Sequence, residues 1–455
     1  MSSTAAILDQ LSPDLYIAHG DVEARYASDW SRSNPCLPEV VLRPRTVEDV
    51  STLLRLCHGA GQPVVVQGGR TGLSGGATPK PGEWALSLER LNAISERNAA
   101  ALYMTVGAGT PLETIQKSAL EMGCRFPLDI GSRGSCLAGG LVSTNAGGIE
   151  VIRYGMARSL VLGLVAVLAD GTLIPARNHL LKNNAGLDLK QLFIGSEGIL
   201  GVVTEVTFRL VPIGQQRHTV LCALSSFEQV IALLNLLNRG PGPLCAFEAM
   251  WANYYVEALR ATQGSDPFDQ AHSYYVLAEL EGTGAEGFEE DLATILAGAV
   301  ERGVLVDAVI AKSQAEAARL WRLREAVAEI GTVMSPAADF DIGIPLARMS
   351  GFATDVQRSL TQAFGDCRLL VFGHVGDGNL HIMASTGKSE DRERIYDLVY
   401  RLTEGIGGTI TAEHGIGVIK KRWLNLSRSD NEIALMRLLK STLDSRNILN
   451  RGRVI

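Results

Sequence analysis

From residue 40 the chain sets short β-branched runs against segments of helical period. Val40-Val41-Leu42-Arg43-Pro44 reads as a strand entering a turn. Apolar residues at 47, 50, 53, 54 and 57 recur at the spacing of one helix face, and Gly59 and Gly61 stop it. Pro63-Val64-Val65-Val66 is a short strand. Residues 84–110 read as further short strands, and 111–122 as a helix with Pro111 at its start and Gly123 at its end. Residues 160–175 and 199–212 are strand-like, with a turn at Asp170-Gly171. Before all this, residues 1–36 read as short helices ending in a loop at Asn34-Pro35.

At Pro212-Ile213-Gly214 the pattern changes. Helical segments at 226–239, 285–302 and 313–330 alternate with strands at 217–224, 273–281, 304–310 and 368–375, and 427–447 is helical again. This predicts an α+β domain: an antiparallel sheet with helices on one face.

Composition narrows the function classes. The chain has 455 residues, of which 46% are hydrophobic and 20% charged, ordinary for a globular protein of two or three domains. A net charge of −7 without a basic stripe argues against a non-specific nucleic-acid binder. The first residues, MSSTAAILDQLSPD, show no signal-peptide pattern, and no apolar run is long enough to span a membrane. Seven cysteines with no C-x-x-C pair fit reduced thiols in a cytoplasm rather than a disulfide framework or zinc ribbon. Fifteen of the 48 glycines gather at 68–76, 131–155 and 373–378. Such clusters let backbone approach a large ligand closely, although tight turns would also use them.

The first cluster, Gly68-Gly69-Arg70-Thr71-Gly72-Leu73-Ser74-Gly75-Gly76, directly follows a strand. Its amides can form a nest for phosphate oxygens, though it lacks the P-loop pattern. In Phe372-Gly-His374-Val-Gly-Asp377-Gly378-Asn379-Leu-His381, Asp-Gly is the favoured pair of a two-residue hairpin turn. Paired residue numbers would then sum to 755, which sets His374 directly across from His381, within about 5.5 Å on one face. Two facing histidines are often no more than that. Thr411-Ala412-Glu413-His414-Gly415 adds a carboxylate and a third imidazole. Two His and one Glu with an open position make a catalytic divalent site, most readily zinc, with Fe(II) or Mn(II) as alternatives. His414 is then a candidate general base. One rival signal is Gly282-Thr-Gly284-Ala285-Glu-Gly287 between a strand and a helix, which spells a nicotinamide-dinucleotide fingerprint.

Five motifs in order carry a resemblance: GGRTGLSGG; the run Pro127–Gly148 with Thr144-Asn145-Ala-Gly-Gly and Arg153-Tyr-Gly; GSEGILGVVT; GHVGDGNLH; and AEHGIG. The first three resemble the FAD-binding domain of the vanillyl-alcohol oxidase / p-cresol methylhydroxylase flavoproteins. The last two resemble the cap-domain motifs of FAD-dependent D-2-hydroxy-acid dehydrogenases (D-lactate, glycolate and D-2-hydroxyglutarate). The resemblance implies an α+β fold with residues 1–36 as an N-terminal helical segment, 37–213 as a two-subdomain FAD-binding domain, 214–410 as the cap and 411–455 returning to the FAD domain. It implies that Gly68, Gly69, Arg70, Thr71, Gly72, Ser74, Gly139, Gly140, Thr144, Asn145, Gly148 and Glu197 contact or border FAD, with Pro127, Asp129, Gly131, Ser135 and Val203 in the same segments. No His lies between His58 and His179, so the FAD is expected to be non-covalent. It further implies metal ligands His374, His381 and Glu413, a catalytic His414, Asn379 near substrate or flavin, and Arg324 as the substrate-carboxylate clamp. Where D-2-hydroxyglutarate relatives carry a Thr and a Lys for a distal carboxylate, this chain has Ala328 and Asp339. That favours D-lactate or another monocarboxylate, with 2-hydroxyglutarate or malate as alternatives. The electron acceptor (a quinone or an electron-transfer flavoprotein) and a homodimer are left open.

Overall fold

The computed structural model describes residues 3–18, 20–284 and 286–455. The chain forms two compact units: Met1–Gly148, Tyr154–Ile213 and Glu413–Ile455 in the first, Ile149–Arg153 and Gly214–Ala412 in the second.

In the first unit, four strands lie in the spatial order Tyr16–Ala18, Val40–Leu42, Trp84–Ser87 and Val64–Gln67, the last three parallel. The helix Val47–Ala60 covers them with Val50, Leu53, Leu54 and Cys57, the positions picked out by period. Its start is fixed by a capping box. Thr46 Oγ1 accepts from Asp49 N and Asp49 Oδ2 accepts from Thr46 N, both at 3.0 Å. Gly61, at φ +69°, ends it. Thr46→Ala is expected to cost about 1 kcal/mol, read as a lower midpoint in chemical denaturation; an unmoved midpoint would mean that the box contributes nothing. A second, antiparallel sheet orders Ile94–Asn98, Tyr103–Gly107, Val202–Arg209, Val161–Val167 and Leu173–Ile174. The returning C-terminal segment lays Leu449 beside Val64, and Arg453 makes a buried two-pronged pair with Glu83 at 2.7 and 2.9 Å.

The second unit is one seven-stranded antiparallel sheet in the order Asp307–Ile310, Arg217–Leu224, Tyr274–Glu281, Leu244–Trp251, Arg368–Gly373, Asn379–Ser385 and Ala338–Gly343. Helices cover both faces rather than one. Ala252–Thr262, Gln314–Glu325 and Val327–Met334 bury Met250, Leu370, Phe372 and Met383. On the opposite face Phe227 packs against Trp251 and Tyr274, and Tyr396 and Tyr400 pack against Phe340. Side chains of both parities in these strands are apolar, so each face needs its own cover. The expected helix 313–330 is two helices, broken at Ala326. The strap 149–153 is tied to this unit by Arg153–Glu281 (2.7 Å) and Arg217–Glu150 (2.9 Å).

Candidate active site

In the first unit the glycine loop leaves the end of Val64–Gln67, and among the described residues none of the amides of 68–76 donates a hydrogen bond. Gly68 faces Gly140: a Cβ on Gly68 would stand 3.7 Å from Gly140 N. Closeness of backbone to backbone makes the shape. A Cβ at Gly69 would fall 2.0 Å from Ser135 O, one at Gly148 2.2 Å from Asp129 O, and one at Gly139 2.8 Å from Ala108 Cβ. Arg70, Asn145 and Glu197, one in each of the three segments singled out by sequence, hold positive φ (58°, 50° and 51°). Open amides in a glycine-walled loop fit the pyrophosphate of a dinucleotide.

Not every expected cofactor residue faces that space. Ser74 is buried, and its hydroxyl donates to His414 O (2.8 Å) and Gly415 O (3.0 Å), while its carbonyl accepts from Val418 N and Ile419 N. Glu197 accepts from Ile416 N (2.7 Å) and Gly417 N (2.8 Å). Burial raises its carboxyl above the usual range, and the two amides oppose that rise. Val203 lies in the core of the second sheet. Ser74 fastens the His414 loop to the glycine loop, and Glu197 fastens it to the segment 195–201. Thr71 and Leu73 border the loop, Thr144 Oγ1 turns back to Gly140 O, and Asn145 Oδ1 caps Arg158 N. Pro127 and Gly131 flank Asp129 in the segment that closes on Gly148.

In the second unit the hairpin differs from expectation. Phe372, not His374, pairs with His381, so paired numbers sum to 753. The strand stops at Gly373, and His374 O accepts from Asp377 N and Asn379 N as a 3-10 turn, Val375–Asp377, closes at Gly378 with φ +89°. His374 is therefore the residue before the turn and not a ladder partner. The turn curls it back all the same: the His374 and His381 ring centroids are 5.3 Å apart, and a nitrogen of each lies within 4.8 Å of the other. Glu413 follows Ala412, whose amide bonds to Asp341 O at 3.2 Å, and Asp341 is the ladder partner of His381. The peptide bond alone sets Glu413 Cα about 3.8 Å from that of Ala412.

Glu248, which sequence reading passed over, joins two of the candidate site residues. It is buried at 1% exposure in the strand Leu244–Trp251. Its Oε1 lies 2.6 Å from His374 Nδ1, and its Oε2 accepts from Arg324 Nε at 2.7 Å. Burial alone would push this carboxyl up; the His374 imidazole and the Arg324 guanidinium outweigh it and hold it at about 2. The one available signal was a lone acid inside LCAFEAMW. The Arg324 guanidinium also lies over the Phe372 ring, 4.8 Å from its centroid. Asn379 is 4% exposed, and neither its Oδ1 nor its Nδ2 has a hydrogen-bond partner among the described residues. A buried amide left in that state asks for a ligand.

The dinucleotide fingerprint does not hold. The strands before and after Gly282–Gly287, Tyr274–Glu281 and Asp307–Ile310, are separated by Arg217–Leu224, antiparallel to both, so no adjacent parallel pair exists. Ala285 lies outside the described residues. All seven cysteines are free, and no helix among the described residues is long and apolar enough to cross a membrane.

Comparison with known proteins gives the family of the chain. Residues 38–177 match the FAD binding domain family, and residues 213–454 match the family FAD linked oxidases, C-terminal domain. The chain is 39% identical over 436 residues to a D-2-hydroxyglutarate dehydrogenase of Xanthomonas citri pv. viticola, covering 94% of this chain and 92% of the relative. It is 33% identical over 435 residues to a mitochondrial Schizosaccharomyces pombe protein provisionally named a D-lactate dehydrogenase, covering 92% and 82%. In fold it is similar to a 4-ethylphenol oxidase from Gulosibacter chungangensis, with TM-score 0.76 and 16% identity over 99% of this chain and 96% of that one.

Proposed function

The chain belongs to the FAD-linked oxidases, and from that premise we propose that it oxidises a D-2-hydroxy acid to the 2-oxo acid with FAD and a divalent ion, most readily zinc. The observation that carries this reading is the buried Arg324–Glu248–His374 relay ending beside His381, in a chain whose other unit holds an open-amide glycine cradle. A guanidinium for a carboxylate and a histidine pair for an ion are the two things a 2-hydroxy acid needs recognised.

In this mechanism His374, His381 and Glu413 would hold the ion, which would supply a Lewis acid for the hydroxyl oxygen. FAD, when bound, supplies the acceptor for the hydride on Cα. Arg324 offers the edge of its fork away from Glu248 to the substrate carboxylate and fixes the approach of Cα. His414 accepts the hydroxyl proton on a ring nitrogen; its backbone is set by Ser74 and its loop by Glu197. Asn379 meets a polar atom of the substrate with its unpartnered amide. FAD is held without a histidyl bond, so acid precipitation should release the yellow colour into the supernatant. The electrons pass on to a quinone or an electron-transfer flavoprotein.

Ala328 and Asp339 are both exposed and offer no cation for a second carboxylate, which favours D-lactate-like monocarboxylates. The names of the relatives keep D-2-hydroxyglutarate as the second reading. The deciding experiment is anaerobic bleaching of the flavin by a panel of D- and L-2-hydroxy acids. A D-acid should bleach it and its L-enantiomer should not. Bleaching by none of them, from a yellow protein, would end the reading. Arg324→Lys keeps a positive charge and loses the planar fork, so KM for the acid should rise about 10–100-fold. Unchanged KM would remove Arg324 from the substrate.

A further inference from the structure

We propose that Glu248 is a positioning residue that braces two functions at once, fixing His374 for the ion with one carboxylate oxygen and Arg324 for the substrate with the other. The proposal rests on the functional reading above and adds to it the group that couples its two halves.

The geometry argues for it. Glu248 sits on the strand neighbouring the one that ends just before His374, and its two oxygens lie 2.6 Å from His374 Nδ1 and 2.7 Å from Arg324 Nε. An ionised carboxylate only accepts, so both partners must donate. His374 therefore carries a proton on Nδ1, and Nε2 is the nitrogen whose lone pair can ligate an ion. This is the usual division of labour in carboxylate–histidine–metal sites. The same logic turns Arg324 so that Nη1 and Nη2 form the edge for a substrate carboxylate. Phe372 closes the ring of contacts. It lies under the Arg324 guanidinium, pairs with His381 across the ladder, and has its ring centroid 5.1 Å from that of His381. One carboxylate thus holds Arg324 with one oxygen and His374 with the other.

Glu248→Gln separates this from a merely structural role. An amide has one accepting oxygen and one donating nitrogen, so it cannot accept from both partners. With its oxygen on Arg324, the NH2 meets His374 Nδ1 and drives the ring proton to Nε2, the ligating position. With its oxygen on His374, two N–H donors collide at Arg324. The test uses the FAD-loaded enzyme, with zinc affinity read by chelator competition and KM and kcat read separately at saturating zinc. Glu248→Gln should bind zinc about 10–100-fold more weakly and keep a raised KM after zinc is restored. Glu248→Asp, which keeps two accepting oxygens on a shorter arm, should recover part of both losses. Arg324→Lys should raise KM and leave zinc affinity within about threefold. Wild-type zinc affinity and KM in Glu248→Gln overturn the brace. Should that variant fail to fold, wild-type values for both in Glu248→Asp overturn it equally. A wild-type enzyme that binds zinc but is bleached by no hydroxy acid ends the functional reading alone, and the zinc arm still decides the brace. A wild-type enzyme that binds no zinc ends both.

Discussion

Replacing His374 with Ala should strip the protein of its divalent ion and lower kcat/KM for the hydroxy acid by about 10³-fold or more, while the flavin stays bound. The size follows from what is lost. Lewis-acid stabilisation of a developing alkoxide is worth several kcal/mol, and about 1.4 kcal/mol is tenfold in rate. The flavin should survive because His374 belongs to the second unit and the glycine cradle to the first. The fold should survive because Glu248 keeps Arg324 as a partner when the imidazole is gone, so the buried carboxylate is not left alone. Exhaustive EDTA treatment of the wild type should reproduce the defect. Added zinc or manganese should restore the treated wild type and not the variant. The measurement is anaerobic flavin reduction by the acid, with dithionite as the control for an intact flavin. Reduction at the wild-type rate in both the variant and the chelated protein would remove the ion from the mechanism.

Gly69→Ala should yield a colourless protein, with FAD affinity lowered about 10³-fold or more. The added methyl would sit 2.0 Å from Ser135 O and 2.9 Å from Cys136 Cα. Both obstacles are backbone, so no side-chain rotation relieves them. The strand-to-loop junction and the 132–136 turn must part, and the amides of 68–72 move with them. A displacement that breaks several amide–phosphate hydrogen bonds costs on the order of 4 kcal/mol, which is that thousandfold. Gly59→Ala, where nothing lies within 4 Å, is the matched control and should stay yellow. A yellow Gly69→Ala protein with an unchanged dissociation constant would show that this contact does not shape the cradle.

The cradle was legible because its chemistry is local. Five glycines in nine residues after a β-branched strand state a backbone requirement that few other segments can meet. The two histidines proposed to hold an ion could be named from sequence, but their geometry could not. Asp377-Gly378 predicts a two-residue turn with His374 in the ladder, whereas the chain spends Val375–Asp377 on a 3-10 turn and moves the register by two. A shift of two keeps side chains on the same face, so Phe372 takes the ladder position, and His374 reaches His381 from the turn instead. Leu244–Trp251 went unread because a continuous apolar run has no period to separate strand from buried helix. With it went Glu248, whose meaning is long-range: its partners are 76 and 126 residues away. That helices cover both faces of the sheet was missed for a related reason. Tyr396, Tyr400 and Phe227 are apolar at helical spacing, but which face they cover is decided by pairing that spacing cannot encode.

The clasp between Glu197 and the amides of Ile416 and Gly417 joins residues 219 and 220 positions apart, with residues 214–412 of the second unit threaded between them. During synthesis, then, the cofactor pocket stays unlatched while residues 214–412 emerge, and a nascent chain halted anywhere in that stretch exposes a cradle without its fastening. The inserted sheet can collapse first, from neighbouring hairpins, and by doing so brings the two ends of its host towards each other, sparing the latch most of the entropy of closing so long a loop. A cofactor that needed this clasp would then be held only once residues 214–412 had been made.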